Sequence, residues 1–416
     1  DLTKDELADR RLEIKHIDAR RFLYMSKSST TGTKFDVVIL NLPMPSTLQL
    51  NRFYSQEFFQ SVKSILSEDG IFSFSLPGSL TYLNQPLRNL NGSVLNTLED
   101  IFSVQVIPGD FNLYISSNKK ISLSPESFLK QLAQKNIQTK LLNKFHLEYR
   151  LHPRWLDWFY DSISDYTKVR KNFDLSPSAT FYSIAYWNTI FSPHLEKFFT
   201  ILDKLNFKSL LIYLLIFGVG LFALNALVPK LRKASIAFAI LTTGFVGMSF
   251  DLIIIYAYQS FYGFVFSHLA LLVTAFMAGL TLGGWLITKN LGKIKNDFSL
   301  FSKIELALIG FCFTAGLLLL CLKNFALPQF SFVFFILSGA SGYLVGSEFP
   351  LANKIYPALA RKGGAGILYA LDLGGAWLAA LAVSVALVPV IGIVKTCLLL
   401  ALLKIISLLL VVTSKV

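Results

Sequence analysis

From Leu210 to its C-terminus the sequence is a series of apolar segments, each long enough to cross a bilayer. A hydrocarbon core about 30 Å thick is spanned by ~20 apolar helical residues. Within lipid every backbone amide must be satisfied inside the segment, so these segments are predicted to be helices. Seven are expected, at about 210–228, 234–257, 262–287, 303–322, 330–350, 366–388 and 390–413. No other feature restricts the fold as strongly, because it commits half of the chain to a helical membrane body.

Composition separates this half from the one before it. The chain is 53% hydrophobic and 16% charged, and the charged residues crowd into the first two hundred positions. The net charge of +13 invites a nucleic-acid reading. However, the basic residues form no continuous stripe, and many fall in short membrane loops, where Lys and Arg set topology. The lipid bilayer is therefore the expected partner, and nucleic acid is not. The three cysteines, Cys312, Cys321 and Cys397, all lie in predicted membrane helices without metal-ligand spacing, so neither a disulfide framework nor a metal site is expected.

The first hundred or so residues alternate short apolar runs with amphipathic ones. Leu12–Ile17 reads as a strand ending at Asp18, followed by a short helix over Arg20–Met25. Phe35–Leu40 is an unbroken apolar run apart from Asp36, the pattern of a strand buried on both faces of a parallel sheet. A loop with Pro43 and Pro45 leads to a helix over Phe53–Leu66, which the Glu68-Asp69-Gly70 turn closes. Ile71–Leu76 is the next strand, Leu87–Ile101 the next helix, and Val104–Ile107 and Phe111–Ile115 form a final antiparallel pair. This alternation predicts a doubly wound α/β sheet with its ligand chemistry at the C-terminal strand ends. Those ends carry Asp18 and Asn41. From position alone, Asp18 either accepts a hydrogen bond from an adenine amino group or a ribose, or caps the helix that follows.

The segment Ile17-Asp18-Ala19-Arg20-Arg21-Phe22-Leu23 resembles the adenine-side segment of the polyamine aminopropyltransferases, the spermidine synthase family. Phe35-Asp36-Val37-Val38-Ile39 with its Pro-containing loop, then Arg52 to Phe59 and Leu66 to Phe72, is similar to that family's central block. Together these cover roughly residues 10–116. The resemblance implies a methyltransferase-type Rossmann-like fold and transfer of an aminopropyl group from decarboxylated S-adenosylmethionine to a polyamine. It assigns Asp18 and Ala19 to the adenine of this co-substrate and Asn41 to the position of the general base. No permanently bound cofactor is implied.

Two departures from the family pattern matter. The loop after Phe35–Leu40 carries Asn41 and Met44 where the family has two aspartates, and neither an amide nor a thioether acts as a general base at neutral pH. The Gly-rich first strand–turn–helix and the acidic residue after the second strand are not in the sequence, which is thus read as N-terminally truncated, with half of a nucleoside site. Asn172-Phe173-Asp174-Leu175-Ser176-Pro177, with Tyr182 and Trp187, resembles a segment of membrane-fused members of the family. Its alternative reading is an amphipathic linker whose Trp155, Trp158, Tyr160 and Trp187 lie at the headgroup level.

In the membrane half, Gly279 with Gly283 and Gly342 with Gly346 form small-xxx-small faces for close helix contact. Asp251, Glu348 and Asp372 lie at or near membrane depth, where a charge is costly and faces a partner or a watery cavity. They form a candidate polar site that binds a cationic polyamine or relays protons, unless they only hydrogen-bond neighbouring helices. Lys395 and Lys404 are their candidate partners, although either side chain is long enough to snorkel. Pro350 is expected to break or kink its helix. Lys230, Arg232 and Lys233, then Lys289, Lys293 and Lys295, then Lys354, Arg361 and Lys362 follow the first, third and fifth helices. The positive-inside rule then puts those loops in the cytoplasm and the soluble half outside, whereas adenosylated substrates are cytoplasmic.

The sequence thus predicts a partial Rossmann-like domain (1–120), a connecting amphipathic region (121–207) and a membrane domain (208–416). Two functions follow: a membrane-embedded aminopropyltransferase-like enzyme of a bacterial plasma membrane, or a polyamine or cation transporter or sensor with a degenerate nucleoside-binding domain.

Overall fold

The computed structural model describes residues 9–28, 34–121, 123–228, 234–263, 266–323, 330–359 and 364–414. The chain divides into two compact units. The first comprises Asp1–Leu42, Gln56–Leu80 and Leu98–Asp161; the second comprises Pro43–Ser55, Thr81–Thr97 and Ser162–Val416.

The first unit is built on a four-stranded sheet in the order β1-β2-β4-β3, formed by β1 (Phe35–Leu40), β2 (Leu66–Pro77), β3 (Ser103–Ile107) and β4 (Phe111–Ser117). β1 and β2 run parallel, and β4 pairs antiparallel with both β2 and β3. α1 (Ala19–Ser28) precedes β1, and α3 (Gln56–Ile65) leads into β2. The apolar face of α3, with Phe58, Phe59, Val62 and Ile65, is buried. Phe59 stacks 5.9 Å from Phe74, which stacks 4.9 Å from Tyr114, and Phe72 reaches Phe102 at 6.1 Å. Alternation along β2 sends Phe72, Phe74 and Leu76 inward, so one face of this strand supplies the two rings on which the aromatic residues of α3, β4 and Phe102 converge.

Four local expectations are corrected. Leu12–Ile17 forms no strand, because a strand requires a neighbour for its ladder and none pairs with it among the described residues. β1 is an edge strand with Val37 57% and Ile39 72% exposed, so only one of its faces is covered by described residues. The helix predicted from Phe53 starts at Gln56, after a single turn, α2 (Leu48–Asn51), capped by Thr47. The Glu68-Asp69-Gly70 turn lies inside β2: Leu66 pairs with Phe35 and Ile71 with Val37, so four residues of β2 bulge out opposite one of β1.

Among the described residues, the second unit contains α4 (Gln85–Leu98) up to Thr97, α8 (Ser178–Phe191) and α9 (Leu195–Lys204), and seven helices long and apolar enough to span a membrane. Between these stretches the chain forms α5 (Pro125–Gln134), α6 (Lys144–Arg150) and α7 (Pro153–Ser162). The long helices are α10 (Phe207–Leu227), α11 (Ala234–Tyr262), α12 (Phe266–Asn290), α13 (Asp297–Lys323), α14 (Phe332–Leu359), α15 (Gly364–Ala382), which continues as a π-helical stretch to Ile391, and α16 (Ile393–Thr413). Their number and order match the hydropathy reading, and the chain is a multi-pass membrane protein. Lys230, Arg232, Lys233, Arg361 and Lys362 lie outside the described residues.

Helix α14 runs unbroken through Pro350, contrary to expectation. A proline removes one backbone donor, a loss that membrane helices tolerate when neighbours cover the freed carbonyl. Pro389 sits in the π-helical stretch, which ends at Gly392 with φ of 88°. A side chain there would be strained and would also meet Leu175 O at 2.8 Å.

The predicted glycine faces meet each other. A Cβ added to Gly279 would lie 2.9 Å from Tyr343 N, one on Gly283 2.8 Å from Ser347 Oγ, and one on Gly346 2.8 Å from Leu280 Cα. α12 and α14 therefore approach backbone to backbone, and only glycine permits that spacing.

Candidate functional site

In the first unit the predicted nucleoside residues fall at the ends of elements. Asp18 precedes α1 and accepts a hydrogen bond from Arg21 N at 3.1 Å, which is the helix-cap geometry. Ala19 opens the helix and is exposed. Phe22 of α1 lies 6.1 Å from Phe35 at the start of β1, which fixes the entry of the helix against the sheet. Asn41 follows the last residue of β1 and is exposed, at the C-terminal end of a strand where α/β sheets place their chemistry. Met44, the second departure from the family's aspartates, is buried.

Of the predicted connecting region, residues 121–161 belong to the first unit and residues 162–207 to the second. Asn172 is fully buried: its Nδ2 donates to Tyr54 O at 2.9 Å, and its Oδ1 accepts from Ala179 N at 3.1 Å. Arg170 forms an ion pair with Asp203 at 2.6 Å, and its Nη1 donates to Val390 O. Tyr182 donates to the same Asp203 oxygen at 2.9 Å, and burial pushes its hydroxyl well above the ordinary tyrosine range. Ile393 N donates to Leu175 O at 2.8 Å, which docks the segment on the first turn of α16.

The most unusual chemistry lies inside the helical bundle. Lys404 of α16 and the carboxylates Glu305 of α13 and Glu348 of α14 each expose none of their surface. Lys404 Nζ lies 2.9 Å from Glu305 Oε1 and 3.4 Å from Glu348 Oε2. Ser407 Oγ donates to Glu305 Oε1 at 2.9 Å. Thr243 of α11 accepts from Lys404 Nζ at 2.8 Å and is in hydrogen-bond contact with Glu348 Oε2. Four helices thus contribute to one enclosed polar cluster, which can hold a charge or a proton out of reach of solvent.

Only Glu348 of the three predicted membrane acids belongs to it. Asp251 is partly buried on α11, and its Oδ1 has no hydrogen-bond partner among the described residues. Asp372 lies on α15 beside Gly244 of α11, where an added Cβ would come within 2.7 Å of its Oδ1. No ion pair or hydrogen bond joins either acid to the cluster among the described residues. Lys404 does not snorkel, whereas Lys395 is exposed. Sequence reasoning missed Glu305 because it sits two residues after Lys303, at the predicted start of a span, and reads as part of a wet helix end. Its flanking Ile304 and Leu308, both buried, were the available signal.

Comparison with known proteins bears on the N-terminal part of the chain. Residues 2–106 match the spermine/spermidine synthase domain. A polyamine aminopropyltransferase of Pyrobaculum aerophilum is 30% identical over 149 residues, covering 33% of this chain and 50% of that protein. One from Shewanella oneidensis is 39% identical over 62 residues, 15% of this chain and 10% of that protein. Polyamine aminopropyltransferase 2 of Bacillus cereus is 32% identical over 71 residues, 17% of this chain and 18% of that protein. The chain thus spans half or less of the length of these relatives. Its N-terminal part carries a spermine/spermidine synthase domain with polyamine aminopropyltransferase homologues, and seven apolar helices follow it.

Proposed function

We propose that this protein is a membrane-embedded, aminopropyltransferase-like enzyme of a bacterial plasma membrane, acting on decarboxylated S-adenosylmethionine and a polyamine. The observation that carries the reading is the pairing of the domain match with Asn41 at the C-terminal end of β1 and Asp18 at the start of α1. Asp18 and Ala19 hold the adenine; the carboxylate of Asp18 accepts from the adenine amino group while it caps α1. Asn41 accepts a hydrogen bond from the attacking amine and orients it, but it takes no proton. The amine must therefore arrive neutral or lose its proton to water, so turnover is slow.

Calorimetry of the full chain in detergent with decarboxylated S-adenosylmethionine tests this. Binding in the micromolar range that Asp18→Ala weakens, followed by aminopropyl transfer to putrescine, is the expected result. Absence of binding would overturn the reading.

A second reading, a polyamine or cation transporter or sensor, is favoured by Asn41 and Met44 standing where the family has aspartates. Of the predicted membrane acids it assigns the recognition of the cation to Asp251 and Asp372, since Glu348 exposes no surface. Polyamine uptake by proteoliposomes that Asp251→Asn or Asp372→Asn abolishes, without transferase activity, would select it.

A further inference from the structure

We propose that the cluster of Glu305, Glu348 and Lys404 is a proton-binding site, in which Glu348 is a neutral carboxylic acid with its proton on Oε2. The inference stands apart from the nucleoside reading and rests on proton counting. Thr243 Oγ1 lies 2.7 Å from Ala239 O, 2.8 Å from Lys404 Nζ, and in contact with Glu348 Oε2. A hydroxyl has one proton to give, and a backbone carbonyl can only accept. With Glu348 ionised, Ala239 O and Glu348 Oε2 would compete for that one proton, and one contact would place two acceptors face to face. With the proton on Glu348 Oε2, all three contacts are satisfied at once. Glu348 donates to Thr243, Thr243 donates to Ala239 O, and Lys404 donates to both Thr243 and Glu305.

Charge counting gives the same answer. Two carboxylates against one ammonium leave one uncompensated negative charge in a bundle core, where an isolated ion is strongly disfavoured. Glu305 makes the closer pair with Lys404 and is also bonded by Ser407, so it is the one that stays ionised. Glu348 Oε1 and Glu305 Oε2 take no hydrogen bond from any described residue. Binding one H⁺ at Glu348 makes the triad neutral.

The ligand class follows from space. All three acids and bases of the cluster expose no surface, so no water-sized void adjoins them. A proton adds no volume there, whereas a hydrated metal cation or an alkylammonium group has no room. Other titratable groups on the packed helices include Asp251 on α11, Lys303 and Cys312 on α13, Tyr343 on α14, Asp372 on α15 and Cys397 on α16. None of them is hydrogen-bonded or ion-paired to the three.

Infrared spectroscopy of the full chain in lipid nanodiscs tests this. The wild type should show a carboxylic-acid carbonyl band at neutral pH that shifts in D₂O and is lost in Glu348→Gln. Glu305→Gln should also lose it, because Lys404 then takes Glu348 as its counter-ion. Lys404→Met should roughly double it. The thermal midpoint should hold in Glu348→Gln, whose amide can donate to Thr243 as the acid does, and fall in Glu305→Gln. Absence of the band from the wild type, or its survival in Glu348→Gln, would overturn the proposal. So would its removal by sodium chloride at constant pH, because a metal cation would then be the ligand.

Discussion

Glu305 Oε1 and Lys404 Nζ lie 2.9 Å apart between two side chains that expose no surface. α13 and α16 are therefore joined by an ion pair screened from water. Removing the cation leaves the buried Glu305 carboxylate without its counter-ion, which typically costs about 3–5 kcal/mol. Lys404→Met is expected to destabilise the bundle by that order, read from unfolding midpoints in detergent. Simultaneous apolar replacement of Glu305, Glu348 and Lys404 is expected to restore stability to wild type or above, because the desolvation cost disappears with the charges.

The α12–α14 seam should be intolerant of side chains. Gly346→Leu has to push α12 away, since its Cβ alone would meet Leu280 Cα at 2.8 Å. A loss of about 1–3 kcal/mol is expected, as for overpacking generally. Gly310 on α13 meets nothing within 4 Å, so Gly310→Ala should leave the midpoint unchanged or slightly raised.

Asp18 is expected to separate its two roles under mutation. Asn caps a helix as well as Asp does, whereas Ala loses about 1 kcal/mol of cap energy. Asp18→Asn should therefore keep the stability of the first unit. Its affinity for decarboxylated S-adenosylmethionine, measured by calorimetry, should still fall at least tenfold, because the amide carries no charge.

Arg170 and Asp203 form the partly buried ion pair that ties the connecting segment to α9, and Tyr182 shares the same carboxylate oxygen. Arg170→Ala should cost about 2–4 kcal/mol, since it removes an ion pair and a hydrogen bond to Val390 O together. In a double-mutant cycle with Asp203→Asn the two losses should be non-additive by at least 0.5 kcal/mol, a figure of the order found for contacting charges.

The first unit should lose stability at alkaline pH. Burial raises the hydroxyl of Tyr114, the largest cause, and that of Tyr160, above the ordinary value of 10.0. A raised folded-state value means that the folded form keeps protons which the unfolded form releases. This stabilisation is fully present below 10.0 and is lost progressively as pH rises above it. Tyrosinate absorbance and far-UV circular dichroism followed together should show Tyr114 ionising only as the sheet unfolds.

The sequence by itself determined the elements that depend on local composition. Seven long apolar runs give seven long helices, since lipid leaves the backbone no other way to satisfy its amides. The period-two pattern of Phe72, Phe74 and Leu76 marks the inward face of β2, and the order of strands and helices from Phe35 onwards holds. The glycine faces were also legible, because only glycine allows backbones to touch. What depended on partners was not legible. Leu12–Ile17 has strand chemistry but no neighbour to pair with, and the run Phe35–Leu40 does not say which of its faces will be covered. Among the acids, sequence spacing singled out Asp251, Glu348 and Asp372. Only helix packing could bring Glu305, Glu348, Lys404 and Thr243 to one point from four different helices. Which charges are neutralised inside a bundle depends on distance in space, and that distance is fixed by the crossing of helices far apart in the chain.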